Sequence, residues 1–375
     1  MSAISYIPVL THAAAASAQP RPFSSTRTPI ARQMKIALIG LPQAGKKTLF
    51  TLLTGRHVPE GRKTAESLEG AADIRDARVD ALAEVCNPKK TTYAQNQFVL
   101  CPDAVTGSYE WLAAARRCHL VCLVVRAFES DSLYHPAGSV DPGRDCENLE
   151  AELLLADMQV VETRLERLAK EGRAGNLPPE QKLEQEVLDK CLAALSEGTR
   201  LADLPLPERE WEAVRHVELI TLLPLLRVYN AAEDDLATEY GDNVLVMSCQ
   251  IEQEIMSMDD PAERHAYLDV LGLHASGLDR MNAAAYDALG LMSFYTAGPD
   301  ECRAWTIHKG STAPVAGGKI HSDIEHGFIR AEIIKHEDYV EHGSEGAARN
   351  AGKIQTRGRD YVVEDGDVVH FLHSA

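Results

Sequence analysis

The residues best suited to chemistry lie in one short segment between Gly40 and Thr48. Gly40, Gly45 and Lys46 have the spacing of the phosphate-binding loop G-x-x-x-x-G-K-[ST], in which backbone N–H groups surround phosphate oxygens and the lysine reaches the outer phosphates. The final position departs from this pattern, because Lys47 replaces the Ser or Thr whose hydroxyl would bind Mg²⁺. The segment therefore predicts a site that holds a nucleotide and is poorly equipped to cleave it.

The predicted phosphate contacts come from this loop and from the first turn of the helix after it, whose N–H groups form an anion site. They are Gly40, Gln43, Ala44, Gly45, Lys46, Lys47 and Thr48. Thr48 does not replace the missing hydroxyl, because adjacent helical residues point about 100° apart. Lys47 instead brings a cation close to where Mg²⁺ would bind. The alternative interpretation is a glycine-containing turn between a strand and a helix, without a ligand.

Four apolar runs have the size and composition of the buried parallel strands that would position this loop. They cover residues 35–39, 119–125, 222–229 and 243–248. Together these runs predict an α/β domain with a doubly wound sheet, in which the phosphate-binding loop follows the first strand.

Between the second and third runs, apolar residues recur at helical intervals among Glu and Arg. The pattern predicts two helices, through residues 149–168 and over about 180–196, separated by glycines and prolines at 171–179. We expect an antiparallel helical hairpin inserted into the nucleotide domain. It is interpreted either as an arm that grips a partner or as a packing element with a solvated charged face.

From about residue 292 the pattern changes to short alternating strands separated by glycine-containing turns, which predicts a small α+β domain. The predicted organisation is a leader at 1–33, a P-loop nucleotide-binding domain at 34–146 and 216–290, the helical insertion at 147–215 and the α+β domain at 291–375.

The composition excludes several classes of protein. The net charge of −18, from 38 Lys and Arg against 56 Asp and Glu, disfavours non-specific binding to DNA, RNA or anionic lipid. The longest apolar runs are far shorter than the roughly 20 residues of a membrane-spanning helix. Eight cysteines without a C-x-x-C pair fit a reducing compartment, and we expect a cytoplasmic protein without a membrane or DNA partner.

Residues 1–33 are rich in Ala, Ser, Thr and Pro and contain Arg21, Arg27 and Arg32 but no Asp or Glu. This composition is compatible with an organellar transit peptide. It also fits an extension from an upstream start codon, since Met34 directly precedes the first predicted strand. We favour a disordered, dispensable leader, with organellar import as the alternative.

Several motifs spread over the chain resemble those of a known family. The residues R-A-W-T at 303–306 and D-G-D-V-V-H-F at 365–371 are similar to its C-terminal domain, and the segment at 140–145 is similar to its coiled-coil entry. From Met34 to the end, the chain resembles the YchF-type, Obg-related P-loop ATPases of the translation-factor class. The resemblance implies a coiled-coil insertion, a C-terminal β-grasp-like TGS domain, and the ribosome or translation machinery as a partner.

The choice of base follows from the same resemblance. The family replaces the guanine-reading motif N-K-x-D by N-x-x-E, which implies a preference for ATP over GTP, and Asn230 and Glu233 match this motif behind an apolar strand. Ser248, at the end of the next strand, completes the implied nucleotide contacts. The alternative is an Asn-containing turn that closes a strand.

The catalytic motifs of the family are degraded in this chain. Its D-x-A-G switch would place an Asp at position 100 and a Gly at position 103, where the sequence has Leu100 and Asp103. Pro102 argues against a shift in register that would bring Asp103 into the metal-supporting role. Thr64 aligns with the switch threonine that completes Mg²⁺ coordination, in an otherwise dissimilar stretch.

These features predict an ATP-binding regulator of the ribosome or a translation complex, in which Mg²⁺ is weakly held and hydrolysis is slow or lost. We assign no catalytic residue. Acidic residues outnumber basic ones over 292–375, so this domain is not a general RNA-binding patch. Two alternatives stay open: an active ATPase with a rebuilt metal site, and a nucleotide-free pseudo-GTPase scaffold that acts through its helical arm and TGS domain.

Overall fold

The computed structural model describes residues 34–59, 66–105, 107–175, 177–241 and 243–374. The predictions for the leader at 1–33 and for Thr64 lie outside these ranges. The strands within them are β1 (Lys35–Ile39), β2 (Leu68–Ile74), β3 (Lys90–Thr92), β4 (Ala94–Leu100), β5 (Leu120–Ala127), β6 (Leu225–Ala231), β7 (Val244–Met247), β8 (Leu291–Thr296), β9 (Glu301–His308), β10 (Phe328–Lys335), β11 (Gln355–Arg357) and β12 (Asp367–His373). The helices there are α1 (Lys46–Thr54), α2 (Ala77–Cys86), α3 (Pro142–Ala174), α4 (Pro179–Ser196), α5 (Glu208–Val214), α6 (Cys249–Ser257), α7 (Pro261–Val270), α8 (Gly277–Ala288), α9 (Ala313–Ile320), α10 (Ser322–His326), α11 (His336–His342) and α12 (Glu345–Asn350).

The first sheet has the strand order β2-β4-β1-β5-β6-β7 and forms the predicted doubly wound α/β arrangement. β1 pairs in parallel with β4 and β5, and β6 pairs in parallel with β5 and β7, whereas the edge strand β2 is antiparallel to β4. Apolar side chains cover both faces, with Phe50 of α1 and Met281 of α8 on one face and Leu149 of α3 on the other. Because the carboxyl ends of parallel strands meet at one edge, the loop after β1 and the turn after β6 lie on the same side of the sheet.

β6 begins later than the apolar pattern predicts, at Leu225 instead of residue 222. The preceding segment Ile220–Leu222, with Thr221 at its centre, forms a 3₁₀ turn. Asp157 of α3 holds this turn, because its buried carboxylate accepts hydrogen bonds from the backbone N–H groups of Ile220 at 3.1 Å and Thr221 at 2.8 Å. These N–H groups are therefore not available to a strand ladder, and the contact with Asp157 fixes the turn that ends at Leu222.

α3 and α4 form the antiparallel helical hairpin that the apolar spacing predicts. α3 has 33 residues and begins with Pro142, a residue favoured in the first helical turn. Val161 of α3 and Leu188 of α4 are fully buried in an apolar cluster that the hairpin shares with residues 201–219, and Arg164 binds Glu184 across the hairpin at 2.6 and 2.9 Å. No helix in the described ranges combines the length and apolar composition needed to cross a bilayer.

The second sheet has the strand order β11-β10-β12-β8-β9-β3. Five of these strands follow residue 290, but β3 comes from the connection between β2 and β4 of the first sheet. β3 pairs in parallel with β9, with Lys90 opposite Glu301 and Thr92 opposite Arg303. From the same connection, Val79 of α2 is fully buried in an apolar cluster of the C-terminal domain. The segment that contains α2 and β3 therefore joins the two sheets. It lies between two strands of the first sheet in sequence, but it packs in the second.

Candidate nucleotide-binding site

The segment between β1 and α1 bends tightly, and two glycines make this bend possible. A Cβ on Gly40 would lie 2.2 Å from the carbonyl oxygen of Val124 on β5. A Cβ on Gly45 would lie 2.3 Å from the side-chain amide of Asn230, and Gly45 also has a φ of 97°, which other residues rarely adopt. Gln43, between the two glycines, has a left-handed φ of 59°. The loop therefore approaches β5 and β6 more closely than any residue with a Cβ would allow.

The amino end of α1 lies directly behind this loop. α1 has Gly45 as its N-cap, and among the described residues no side chain caps it. Its first turn also contains no acidic residue, so the positive end of the helix dipole is not neutralised by the helix itself. Unpaired N–H groups beside a close glycine loop can hold an anion such as a phosphate group.

Lys46 is the buried one of the two lysines that follow Gly45, and it is only 3 % exposed. Its Nζ donates hydrogen bonds to the carbonyl oxygens of Gly40 at 2.8 Å and Leu41 at 2.7 Å, and to Oδ1 of Asp103 at 2.6 Å. Burial lowers the pKa of Lys46, whereas the ion pair with Asp103 opposes this shift and the charge of Lys47 adds to it. The pKa of Lys46 is lowered because the cost of removing its ammonium group from water outweighs the attraction of that group to one carboxylate.

Asp103 contacts Lys46, and the sequence pattern did not predict this contact. Leu100, which the resemblance places at the position of a metal-supporting Asp, is buried in β4 opposite Leu38, where it offers no ligand. Asp103 was expected at a glycine position without a role, yet its carboxylate reaches Lys46. The signal that could have found it is an acidic residue just after a strand that neighbours β1.

Lys47 and Thr48 lie in the first turn of α1. Lys47 is exposed, and it is close enough to lower the pKa of Lys46. Thr48 is half-buried one position farther along the helix. Thr64, the predicted metal ligand, lies outside the described residues. The position that carries a hydroxyl in the full loop pattern therefore carries a positive charge.

Asn230, near the end of β6, joins the loop to the start of α6. Its Nδ2 donates to the carbonyl oxygen of Ala44 at 3.2 Å, and its Oδ1 accepts from the backbone N–H of Cys249 at 2.9 Å. Cys249 begins α6, whose N-cap Ser248 accepts at Oγ from the N–H of Ile251. Asn230 and Ser248 are both buried. The structure thus brings Ala44, Asn230 and Ser248 together at the carboxyl edge of the first sheet.

Glu233 lies apart from this hydrogen-bonded cluster. It begins the 3₁₀ turn Glu233–Asp235 that follows β6, and its side chain is exposed. An exposed carboxylate three residues after Asn230 is available to a ligand at this edge, and its role in base selection stays a prediction.

These features define a P-loop nucleotide-binding fold: the strand order, the glycine loop that lies against β5 and β6, and the uncapped helix behind that loop. An α+β domain follows it in sequence. A family model named YchF-GTPase_C, described as a protein of unknown function, matches residues 291–374. The chain belongs to the YchF family. It is 36 % identical over 360 residues to a protein of Escherichia coli O157:H7 named ribosome-binding ATPase YchF, covering 90 % of this chain and 98 % of that protein.

Two further comparisons cover the same extent. A Bacillus subtilis protein with the same name is 36 % identical over 359 residues, covering 89 % of this chain and 97 % of that protein. The solved structure of the Schizosaccharomyces pombe YchF GTPase has a TM-score of 0.76 and 30 % sequence identity to this chain, covering 91 % of this chain and 98 % of that one. The similarity therefore includes the nucleotide domain, the helical hairpin and the C-terminal domain.

Proposed function

We propose that this protein binds a purine nucleotide at the loop of residues 40–48, with ATP preferred over GTP, and acts as a ribosome-associated regulator in the cytoplasm. Nucleotide binding is supported by the amino end of α1, which has no side-chain cap and no acidic residue in its first turn. The loop in front of it approaches β5 and β6 so closely that only glycines fit there. The preference for ATP and the ribosome as a partner are supported by the names of the relatives, which are ribosome-binding ATPases.

The donor set at the loop does not fit a conventional magnesium site. Lys47 supplies an ammonium group where a hydroxyl ligand is required, and Leu100 supplies an apolar side chain where a carboxylate is required. The carboxylate of Asp103 is engaged by Lys46. Because Mg²⁺ prefers oxygen ligands, we propose that the charge of Lys47 offsets part of the phosphate charge and that hydrolysis is slow or absent.

Base selection is proposed to depend on the turn after β6. Asn230 fixes the start of this turn through Ala44 and Cys249, and Glu233 lies exposed on it. The N-x-x-E motif that these two residues form differs from the guanine-reading N-K-x-D motif. This difference supports adenine as the base.

Calorimetric titration of the full chain with ATP, ADP and GTP, each in Mg²⁺ and in EDTA, tests nucleotide binding, base choice and metal dependence together. We expect ATP to bind at least about tenfold more tightly than GTP, which is about 1.4 kcal/mol, and EDTA to change the Kd for ATP by less than about threefold. Gly45→Ala should abolish binding because its Cβ would collide with Asn230. Gly346→Ala is the matched control, since a Cβ at Gly346 meets no atom within 4 Å among the described residues.

Hydrolysis needs a separate measurement. Single-turnover assays with excess protein should show little cleavage of ATP, with no strong increase on adding Mg²⁺. Robust magnesium-dependent cleavage would show that other residues rebuild the metal site, and the proposal of weak hydrolysis would then be wrong.

The ribosome contact is proposed to involve the helical hairpin of α3 and α4 and the C-terminal domain. With a net charge of −18, the chain should not bind RNA through general electrostatic attraction. Sedimentation of the full chain with purified ribosomes should therefore show binding that saturates near one chain per ribosome. Absence of co-sedimentation both with and without ATP would contradict this part of the proposal.

A nucleotide-free scaffold is the second candidate, and the hydrogen bonds of Lys46 favour it. The ammonium group already has three acceptors within the protein. Thermal unfolding separates the two candidates, because a ligand that binds only the folded state raises the Tm. No change in Tm at millimolar ATP, ADP or GTP would favour the scaffold.

A further inference from the structure

Lys46 and Asp103 form a contact that a bound triphosphate would have to break. A lysine ammonium group has three N–H donors, and those of Lys46 reach Gly40, Leu41 and Asp103. The two carbonyl acceptors belong to the loop itself, whereas Asp103 follows β4, 57 residues away from Lys46 in sequence. Asp103 is therefore the acceptor that can leave without unfolding the loop.

The backbone on both sides of Asp103 is fixed to the loop and to β1. The N–H of Cys101 donates to the carbonyl oxygen of Leu38 at 3.1 Å, and the N–H of Ala104 donates to the carbonyl oxygen of Gly40 at 3.0 Å. These bonds place the carboxylate beside Nζ of Lys46 by backbone geometry. The carboxylate is 27 % exposed while Lys46 is 3 % exposed, so Asp103 lies on the side of Lys46 that solvent, and hence a ligand, can reach.

We propose that Asp103 is a specificity-determining residue that weakens binding of the terminal phosphate of a triphosphate, so that the site favours a nucleoside diphosphate. This inference rests on the proposed nucleotide site. In a P-loop the lysine contacts the outermost phosphates, so the terminal phosphate and the Asp103 carboxylate require the same N–H donor. If both stayed, the terminal phosphate and the Asp103 carboxylate would lie side by side at the partly exposed end of Lys46, and the two negative charges would repel each other.

The inner phosphates are less affected by this competition. They are met by backbone N–H groups of the loop and of the first turn of α1. The backbone bonds beside Asp103 leave these N–H groups unoccupied, because they use the carbonyl oxygens of Leu38 and Gly40. Removing the charge of Asp103 should therefore change affinity for the triphosphate much more than for the diphosphate.

The test compares wild type with Asp103→Asn, which keeps a neutral oxygen acceptor for Lys46 and removes the negative charge. Asp338→Asn is the matched control, because Asp338 is 26 % exposed and is paired with Lys353 at 2.8 Å, far along the chain in α11. Calorimetric Kd values for ATP and ADP are measured in EDTA, with tripolyphosphate and pyrophosphate as probes without a base. Asp103→Ser replaces Asp103→Asn if circular dichroism shows that the latter is not folded.

We expect wild type to bind ADP at least as tightly as ATP. In Asp103→Asn the Kd for ATP should fall relative to the Kd for ADP by about tenfold or more. The Kd for tripolyphosphate should fall in the same way relative to that for pyrophosphate. Asp338→Asn should change neither ratio. Binding of both nucleotides with unchanged ratios in Asp103→Asn, or an equal shift in both variants, overturns the inference and leaves the proposed function standing. If no variant binds any nucleotide or polyphosphate, the proposed nucleotide site is itself wrong, and the inference falls with it.

Discussion

Asn230 and Ala44 lie 186 residues apart in sequence and are joined by a hydrogen bond of 3.2 Å from the side-chain amide of one to the backbone carbonyl oxygen of the other. The same amide group accepts a bond from the N–H of Cys249. One buried side chain therefore fixes the distance between the loop after β1, the end of β6 and the start of α6.

Asn230→Ala should loosen these three segments together. It leaves the buried N–H of Cys249 without its acceptor, so we expect a loss of about 1–3 kcal/mol in the free energy of unfolding and weaker nucleotide binding. Urea unfolding and calorimetric titration measure the two effects. Asn350→Ala, at the exposed end of α12, is the control. Unchanged stability and binding in Asn230→Ala would mean that water or a shifted loop replaces the bond.

Lys47→Ser should make nucleotide binding depend on Mg²⁺. The substitution restores the hydroxyl of the full loop pattern and removes the cation that is proposed to act in place of the metal. We expect the Kd for ATP in Mg²⁺ to be at least about tenfold tighter than in EDTA, a difference of about 1.4 kcal/mol. Lys47→Ala removes the charge without adding a ligand and should gain no such dependence. Equal metal dependence in wild type and Lys47→Ser would contradict the proposed role of Lys47.

Asp157→Ala should destabilise the base of the helical hairpin. Asp157 is fully buried on α3 and accepts bonds from Arg116 at 2.7 Å, from the N–H groups of Ile220 and Thr221, and from the hydroxyl of Thr221 at 2.7 Å. Removing one partner leaves the others unpaired, and we expect a loss of about 3–5 kcal/mol in the free energy of unfolding.

Chemical denaturation measures this loss. Asp189→Ala, an exposed position on α4, should change stability by less than about 0.5 kcal/mol. A small effect of Asp157→Ala would show that the turn Ile220–Leu222 holds its position by apolar packing alone.

His308 should make the protein less stable in mild acid. Burial lowers the pKa of His308, and the charge of Lys319 adds to this shift, while a hydrogen bond with the backbone of Leu289 opposes it. Because the unfolded chain then binds a proton more readily than the folded chain, stability falls as the pH decreases below the ordinary histidine value of about 6.5. His308→Gln should lose less stability than wild type between pH 7.5 and pH 5.5 in urea unfolding. An identical loss in both proteins would exclude this contribution.

The local elements of this fold could be predicted from the sequence because their signals are local. β1, the glycine loop and α1 follow from an apolar run, two glycines and a helix start within 20 residues, and α3 and α4 follow from repeated apolar spacing. β6 begins three residues later than predicted, because Leu222, whose apolar side chain is equally typical of a strand, belongs to a turn that Asp157 of α3 holds at Ile220 and Thr221.

Contacts between distant segments could be predicted least. Nothing in the composition of Lys90–Thr92 indicates that these three residues pair with β9 in the second sheet. The contact of Asp103 with Lys46 likewise depends on the register in which β4 lies beside β1. Register is fixed by packing over the whole sheet, which single-residue patterns do not contain.

The pairing of β3 with β9 means that the chain cannot be divided cleanly after residue 290. A fragment ending there would leave the backbone of Lys90–Thr92 without its neighbour strand and would uncover Val79 and Leu82, which are buried against the C-terminal domain. An open strand edge beside exposed apolar side chains favours self-association. The isolated amino-terminal fragment should therefore aggregate. A separate C-terminal fragment would need residues 75–93 to be supplied as a second chain.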